Sequence, residues 1–297
     1  MIEKSKLSEI HSGTTSMESS ENMPPPPTYT GASSTTRFAC MCMSQFDKLR
    51  FIRFNDQELQ AIRTTISTSW YKGIQAEQNY YGSYEFKLKG NPWSGQGSEA
   101  VPARQMVCAL FETLYNLGWL AVTATDVSKK ALDKDTTMFR YQYPPPPPCD
   151  WMAISFNQGD RLRLINPPLD DGKNTSGVIE DMKQALGSMI KKDGKFNLLI
   201  HIQTEFTFYP DWKEQGAYEI KFRGYPWYTS KGSEVIGTRM MLLQMLEVLE
   251  NNGFTLYLSI DQSTGASSET TSDTDSWYCR RLKTWKKGEP VYHSVPS

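Results

Sequence analysis

The sequence predicts an α+β protein: two tandem, duplicated two-layer α/β sandwich domains, each a mixed sheet with two helices on one face, behind a disordered N-terminal tail. Three observations carry that expectation. The stretch "YEFKLKGNPW" at Tyr84–Trp93 returns as "YEIKFRGYPW" at Tyr218–Trp227. Further blocks recur in the same order: "FDKLRFI" as "GDRLRLI", "GSEAVPARQMVCALFETLYNLGW" as "GSEVIGTRMMLLQMLEVLENNGF", and "DKDTTMFR" as "DTDSWYCR". In each copy strand-like alternation gives way to helical spacing and then returns. The period is too long for a solenoid repeat, so each copy is a domain. A chain of 297 residues suits two domains, each able to bury a core of its own.

Residues 1–36 are rich in Ser, Thr, Glu and Pro and poor in large apolar groups. They cannot bury enough surface to offset their ordering entropy, so disorder is expected. The first repeat is placed at 37–143 and the second at 151–287. A proline linker, 144–150, joins them, and a flexible end occupies 288–297. Pro144–Pro148 is a stiff polyproline II tract. The two repeats are expected to pack together with approximate two-fold symmetry.

Within the first repeat, "FACMCMS" and "KLRFIRF" read as strands. "DQELQAIRTTI" has helical spacing, with Asn55 or Asp56 as the N-cap. In "YEFKLKG" Tyr84, Phe86 and Leu88 share one face and Glu85, Lys87 and Lys89 the other, which describes a half-buried strand. Its twin places Tyr218, Ile220 and Phe222 opposite Glu219, Lys221 and Arg223. Gly90 and Pro92 end the strand. Ser98 and Ser233 are expected to cap the long helices, which run to about Asn116 and Asn251 and stop at Gly118 and Gly253. "WLAVTATD" and "FTLYLSID" are strands, and a polar loop leads to a last strand. In the second copy that loop, 263–273, is longer. This order, a strand or hairpin followed by helix, strand, helix, strand, strand, resembles that of Alba-like domains and of the C-terminal domain of bacterial translation initiation factor 3. The likeness is of topology alone, covers no motif, and implies a nucleic-acid surface as one alternative.

Composition excludes several classes. The net charge of −1 gives no general attraction to nucleic acid or membrane. No apolar run approaches the length of a membrane helix, and no signal peptide is visible. The five cysteines follow neither a disulfide framework nor a zinc pattern, which points to thiols in a cytoplasmic, or alternatively nuclear, compartment. No cofactor or metal is expected. The few histidines do not recur between the copies, and no nucleophile or phosphate-loop motif is present.

Four groups of residues remain as candidates. Pro26, Pro27 and Tyr29 belong to "PPTY", the form that WW domains bind through a pre-extended polyproline segment and a tyrosine pocket. Trp93 and Trp227 either pack a strand-to-helix corner or line a groove. Arg104, Arg239, Asp126 and Asp261 recur in both copies and suggest Arg–carboxylate pairs pinning helix to sheet, or else an anion site. Arg280, Arg281, Lys283, Lys286 and Lys287 surround Trp285, a pattern suited to tracking a phosphate backbone and stacking a base. The reading that follows is a non-catalytic interaction module with a protein partner. Its alternatives are a nucleic-acid binder using 280–287 and a carboxylate-dependent enzyme.

Overall fold

The structure is a computed structural model. It describes residues 36–94, 97–126, 133–169, 176–192, 205–207, 216–222, 225–229, 232–262 and 275–292. The tail with its "PPTY" stretch, and the loop 263–273, lie outside the described residues. The first repeat comprises β1 (Phe38–Ser44), β2 (Lys48–Ile52), α1 (Asp56–Ser69), β3 (Ile74–Tyr80), β4 (Ser83–Leu88), α2 (Ala100–Asn116), β5 (Trp119–Thr125) and β6 (Asp133–Tyr141). The second comprises β7 (Cys149–Asn157), β8 (Arg161–Ile165), α3 (Gly177–Lys192), β9 (Glu205–Thr207), β10 (Ala217–Lys221), α4 (Gly232–Asn251), β11 (Thr255–Asp261) and β12 (Asp275–Leu282). β7 thus begins inside the span expected for the linker.

Each repeat is a six-stranded sheet, ordered β3-β4-β2-β1-β6-β5 in the first and β9-β10-β8-β7-β12-β11 in the second. The two topologies are the same, strand for strand. Local detail repeats as well. Gln45 in the turn before β2 and Arg53 just after it adopt positive φ, and Gln158 and Asn166 do so at the equivalent places around β8. The pairing of β5 with β6 shifts register between Ala121 and Thr123, and that of β11 with β12 shifts between Leu256 and Leu258.

The sheets are antiparallel throughout the described pairings, not mixed as the sequence suggested. The reason is β3, a strand the sequence reading omitted. After each helix the chain first lays a strand at the sheet edge. A hairpin then brings it back, and the returning strand takes the inner place beside β2 or β1. Without β3, β4 would follow α1 directly, and a single crossover would make a parallel pair. The extra strand also separates the observed order from the topology that suggested a nucleic-acid fold.

The helices are set by local chemistry. Asn55 caps α1: its side chain accepts from the Glu58 backbone N–H at 2.9 Å, and Glu58 accepts from the Asn55 N–H at 2.8 Å. At α2 the expected Ser98 cap is not used. Glu99 occupies the cap position without a side-chain cap bond. Its carboxylate instead accepts from the Asn91 backbone N–H at 2.7 Å and pairs with Lys72. Gly118 stops α2 with φ +92°, where an added Cβ would meet the Gln142 carbonyl oxygen at 2.4 Å.

The two repeats stack asymmetrically. α2 lies on its own sheet and also against β7 and β8 of the second repeat. The apolar core of the first repeat therefore continues into one face of the second sheet, through Cys149, Trp151, Ala153, Ile165 and Tyr278. The other face of that sheet packs on α3 and α4 as a separate core of Met152, Ile154, Leu162, Leu164 and Met245. A helix of one copy meets the sheet of the other, so the expected two-fold relation is replaced by head-to-tail packing.

Candidate interaction surfaces

The corner tryptophans are structural in both copies. The Trp93 Nε1–H donates to the Lys48 carbonyl at 3.1 Å, and the Trp227 Nε1–H donates to the Arg161 carbonyl at 3.0 Å. Their backbone N–H groups bond the Phe46 and Gly159 carbonyls, both at 3.2 Å. In each copy, then, one tryptophan ties the strand-to-helix corner to the first β-hairpin, through its ring and its backbone. Trp93 is fully buried, and Trp227 packs on Phe156 and Phe222.

Beside each corner lies an ion-pair cluster on the sheet. Glu85 accepts from Arg50 Nε at 2.7 Å and Gln78 Nε2 at 2.8 Å, with Lys48 at 3.5 Å. Burial pushes its carboxyl upward, but these partners together hold it below the usual range. Glu219 takes the same place, with Arg161 at 2.9 Å and Arg163 at 2.6 Å. Both clusters cross-link neighbouring strands of their own sheet.

The paired Arg and Asp residues divide by copy. Arg104 is buried, but it does not pin α2 to its own sheet. Its Nε donates to Ser276 Oγ of the second repeat at 2.8 Å, and its Nη1 to the Ala100 carbonyl at 2.9 Å. Its equivalent, Arg239, is exposed on α4. Asp126 and Asp261 end the edge strands. The Asp261 backbone N–H donates to Asp135 Oδ2 at 2.9 Å, joining the two sheets at that end. Burial pushes the Asp135 carboxyl up, and the Asp275 and Asp126 charges add to this. Asp126 and Asp275 face solvent, so the group is an open rim. Among the described residues no cluster of His, Cys, Asp or Glu is arranged to hold a metal.

The basic segment divides in the same way. Arg280 Nη1 donates to Tyr115 Oη at 2.6 Å, and its guanidinium lies over the Tyr115 and Tyr257 rings. Arg281 pairs with Asp150 at 2.9 Å and lies over Phe254 and Trp285. The Trp285 Nε1–H bonds the Glu289 carbonyl at 2.9 Å, and its ring covers Gly253. Lys283, Lys286 and Lys287 remain exposed.

Sequence reasoning missed the aromatic junction between the repeats. Phe111 and Tyr115 on α2 meet Tyr278, Tyr257 and Trp151 edge-on, with ring centroids 5.0–6.0 Å apart. Tyr257 Oη accepts from the Ala121 backbone N–H at 2.6 Å, and burial pushes its phenol up to about 12. Gln105 Nε2 donates to Asn166 Oδ1 at 2.9 Å. The signal available was α2 itself, whose run "AVPARQMVCALF" is apolar around most of its circumference, as a helix buried on two sides requires.

Among the described residues, the counterparts of the two junction surfaces stay open in the other repeat. On α4, Ile236, Met240 and Leu243 are 60%, 50% and 61% exposed, and they follow the i, i+4, i+7 spacing of one helix face. On the first sheet, Phe38, Met138 and Val122 are exposed beside half-buried Cys40, Cys42 and Ile52.

Twin sheets of one topology, stacked helix to sheet, define a tandem α+β repeat protein. One domain-family model matches the chain twice, over residues 37–140 and 150–280, and the chain belongs to that family with two copies of its domain. No curated protein and no solved structure matches it significantly.

Proposed function

We propose that this chain is a non-catalytic interaction module whose partner is a protein. The supporting observation is the outward stripe of Ile236, Met240 and Leu243 on α4. The inner face of this helix already packs through Met241, Met245, Val248 and Leu249. Large apolar side chains lined up on the second face carry an energetic cost in water that a docked protein removes. The "PPTY" stretch at Pro26–Tyr29 adds a second contact, for a WW domain, and tethering the two raises the effective concentration at whichever site binds second. None of Cys40, Cys42, Cys108, Cys149 and Cys279 is in a disulfide, which supports a reducing compartment, cytoplasmic or nuclear. Among the described residues no helix is long and apolar enough to cross a membrane.

The test uses the full chain in three forms: wild type, Leu243→Asp and Tyr29→Ala. Titration with a purified PPxY-binding WW domain is expected to give saturable binding that Tyr29→Ala abolishes. Affinity capture is expected to lose a distinct set of partners with Leu243→Asp. If neither variant changes what binds, the proposal falls.

A further inference from the structure

From the head-to-tail junction inside the chain we infer that the same junction forms between chains. The exposed α4 face of one molecule docks on the open face of the first sheet of the next, making an open, repeating assembly. This rests on the interaction-module reading and names its partner as a second copy.

α2 buries Val101, Arg104, Gln105, Cys108 and Tyr115, largely against the second sheet. In the repeated block these align with Ile236, Arg239, Met240, Leu243 and Glu250 of α4, all of them exposed. The receiving face in the second repeat is Trp151, Ala153, Tyr257, Ser276, Tyr278 and Arg280. The strand pairings place Phe38, Cys40, Val122, Thr136, Met138 and Arg140 at the same positions of the first sheet. The chain thus carries one complete junction and the two unmatched halves of another. Because the halves lie on different elements, joining them leaves a new half free at each end. Such contacts propagate and do not close into a two-fold dimer.

Two of the three polar contacts carry over; the third, Gln105 with Asn166, becomes Met240 beside Arg53. Inside the chain Arg280 donates to Tyr115 Oη. Between chains the equivalent residues are Arg140 and Glu250, opposite charges where the internal junction has a charge and a phenol. Arg104 donates to Ser276 Oγ; its counterpart Arg239 would meet Thr136, also a hydroxyl. At the apolar centre, Leu243 and Met240 would cover Met138, Phe38 and Ile52.

The experiment is sedimentation velocity on the full chain, from about 1 to about 200 μM, the range of a modest interface. The expected result is a weight-average mass that climbs with concentration and passes the dimer without a plateau. Leu243→Asp is expected to hold the chain monomeric while its melting temperature stays unchanged, since the side chain is exposed. Arg140→Glu and Glu250→Arg should each weaken association about tenfold, and the double variant should restore it. A wild type that stays monomeric throughout, a plateau at dimer, or a mass rise untouched by Leu243→Asp overturns the inference. If the chain is monomeric and Leu243→Asp still removes captured partners, the interaction-module reading stands and self-assembly alone fails.

Discussion

Phe111→Ala tests whether α2 binds the two repeats into one cooperative unit. The ring is fully buried and meets Phe139 of its own sheet at 6.2 Å, and Tyr257 and Tyr278 of the other sheet at 6.0 and 5.0 Å. Truncating a buried Phe costs about 3–5 kcal/mol. Two of the three ring contacts cross the junction, and at about 0.5–1.5 kcal/mol per aromatic pair they account for roughly 1–3 kcal/mol of that loss. The assay is urea unfolding, followed in parallel by far-UV circular dichroism and tryptophan fluorescence. Each repeat contains tryptophans, so fluorescence reports on both. The expected result is a single transition at lower urea, the same by both probes and with an unchanged slope. A cycle with Tyr278→Ala should give a coupling of about 0.5–1.5 kcal/mol across the junction. Two separate transitions, only one of them moved by Phe111→Ala, would refute the shared-helix argument, as would a coupling near zero.

The same structure makes three further predictions. Arg104→Ala should destabilise the chain by about 2–4 kcal/mol, because it leaves Ser276 and the Ala100 carbonyl without their donor in a buried site, whereas Arg239→Ala should stay within about 0.5 kcal/mol; equal effects in thermal melts would contradict the asymmetric stacking. Trp93→Phe should cost about 1–3 kcal/mol through the orphaned Lys48 carbonyl and the lost ring volume, with a smaller loss for Trp227→Phe; a melt unchanged for both would make the corners a ligand lip instead. Glu77 is held below the usual range by the Arg63 guanidinium, so its contribution is present above about 4.5 and disappears as pH falls through the folded value; Asp135, raised by burial, acts in the opposite sense, and its contribution is lost as pH rises through its folded value. Denaturation from neutral to acid pH should therefore show a shallower acid loss in Glu77→Gln and, in Asp135→Asn, a stability gain confined to the neutral end. Identical pH profiles would contradict both assignments.

Much of this architecture was legible because it rests on local rules written twice. The alternation of "YEFKLKG" identifies Phe86 and Leu88 as the core side chains of β4, but the face it marks for solvent is covered at Glu85, which is buried in its ion-pair cluster; the stops at Gly118 and Gly253 follow from the φ those turns need. β3 escaped because "IQAEQNY" is a polar edge strand with a weak face preference, and nothing apolar marks it. Its best cue was the tight Tyr81–Gly82 turn, both residues at positive φ. The Ser98 cap failed because the corner recruits Glu99 to tie Asn91 and Lys72, which moves the helix start by a residue. The junction was illegible for a different reason. Residues kept in both copies report what each domain needs to fold, and the same logic read Arg104 and Arg239 as equivalent. Stacking makes them different: one is locked under a sheet and the other faces water.

The differences between copies therefore carry the functional information. Where Trp93 and Trp227 or Glu85 and Glu219 agree, the fold is being maintained, and their bonds are internal. Tyr115 and Glu250 disagree because one closes an intramolecular junction and the other faces out; Tyr278 and Met138 disagree for the same reason. Single exposed apolar residues are ordinary, but a contiguous apolar stripe on a helix is not. On α4 the opposite is seen: Cys108 and Gln105 of the buried helix correspond to Leu243 and Met240 on the exposed one. The helix that faces solvent is the more apolar at two of the junction positions. That inversion is what the proposed docking face on α4 requires, and Leu243→Asp is the variant that tests it.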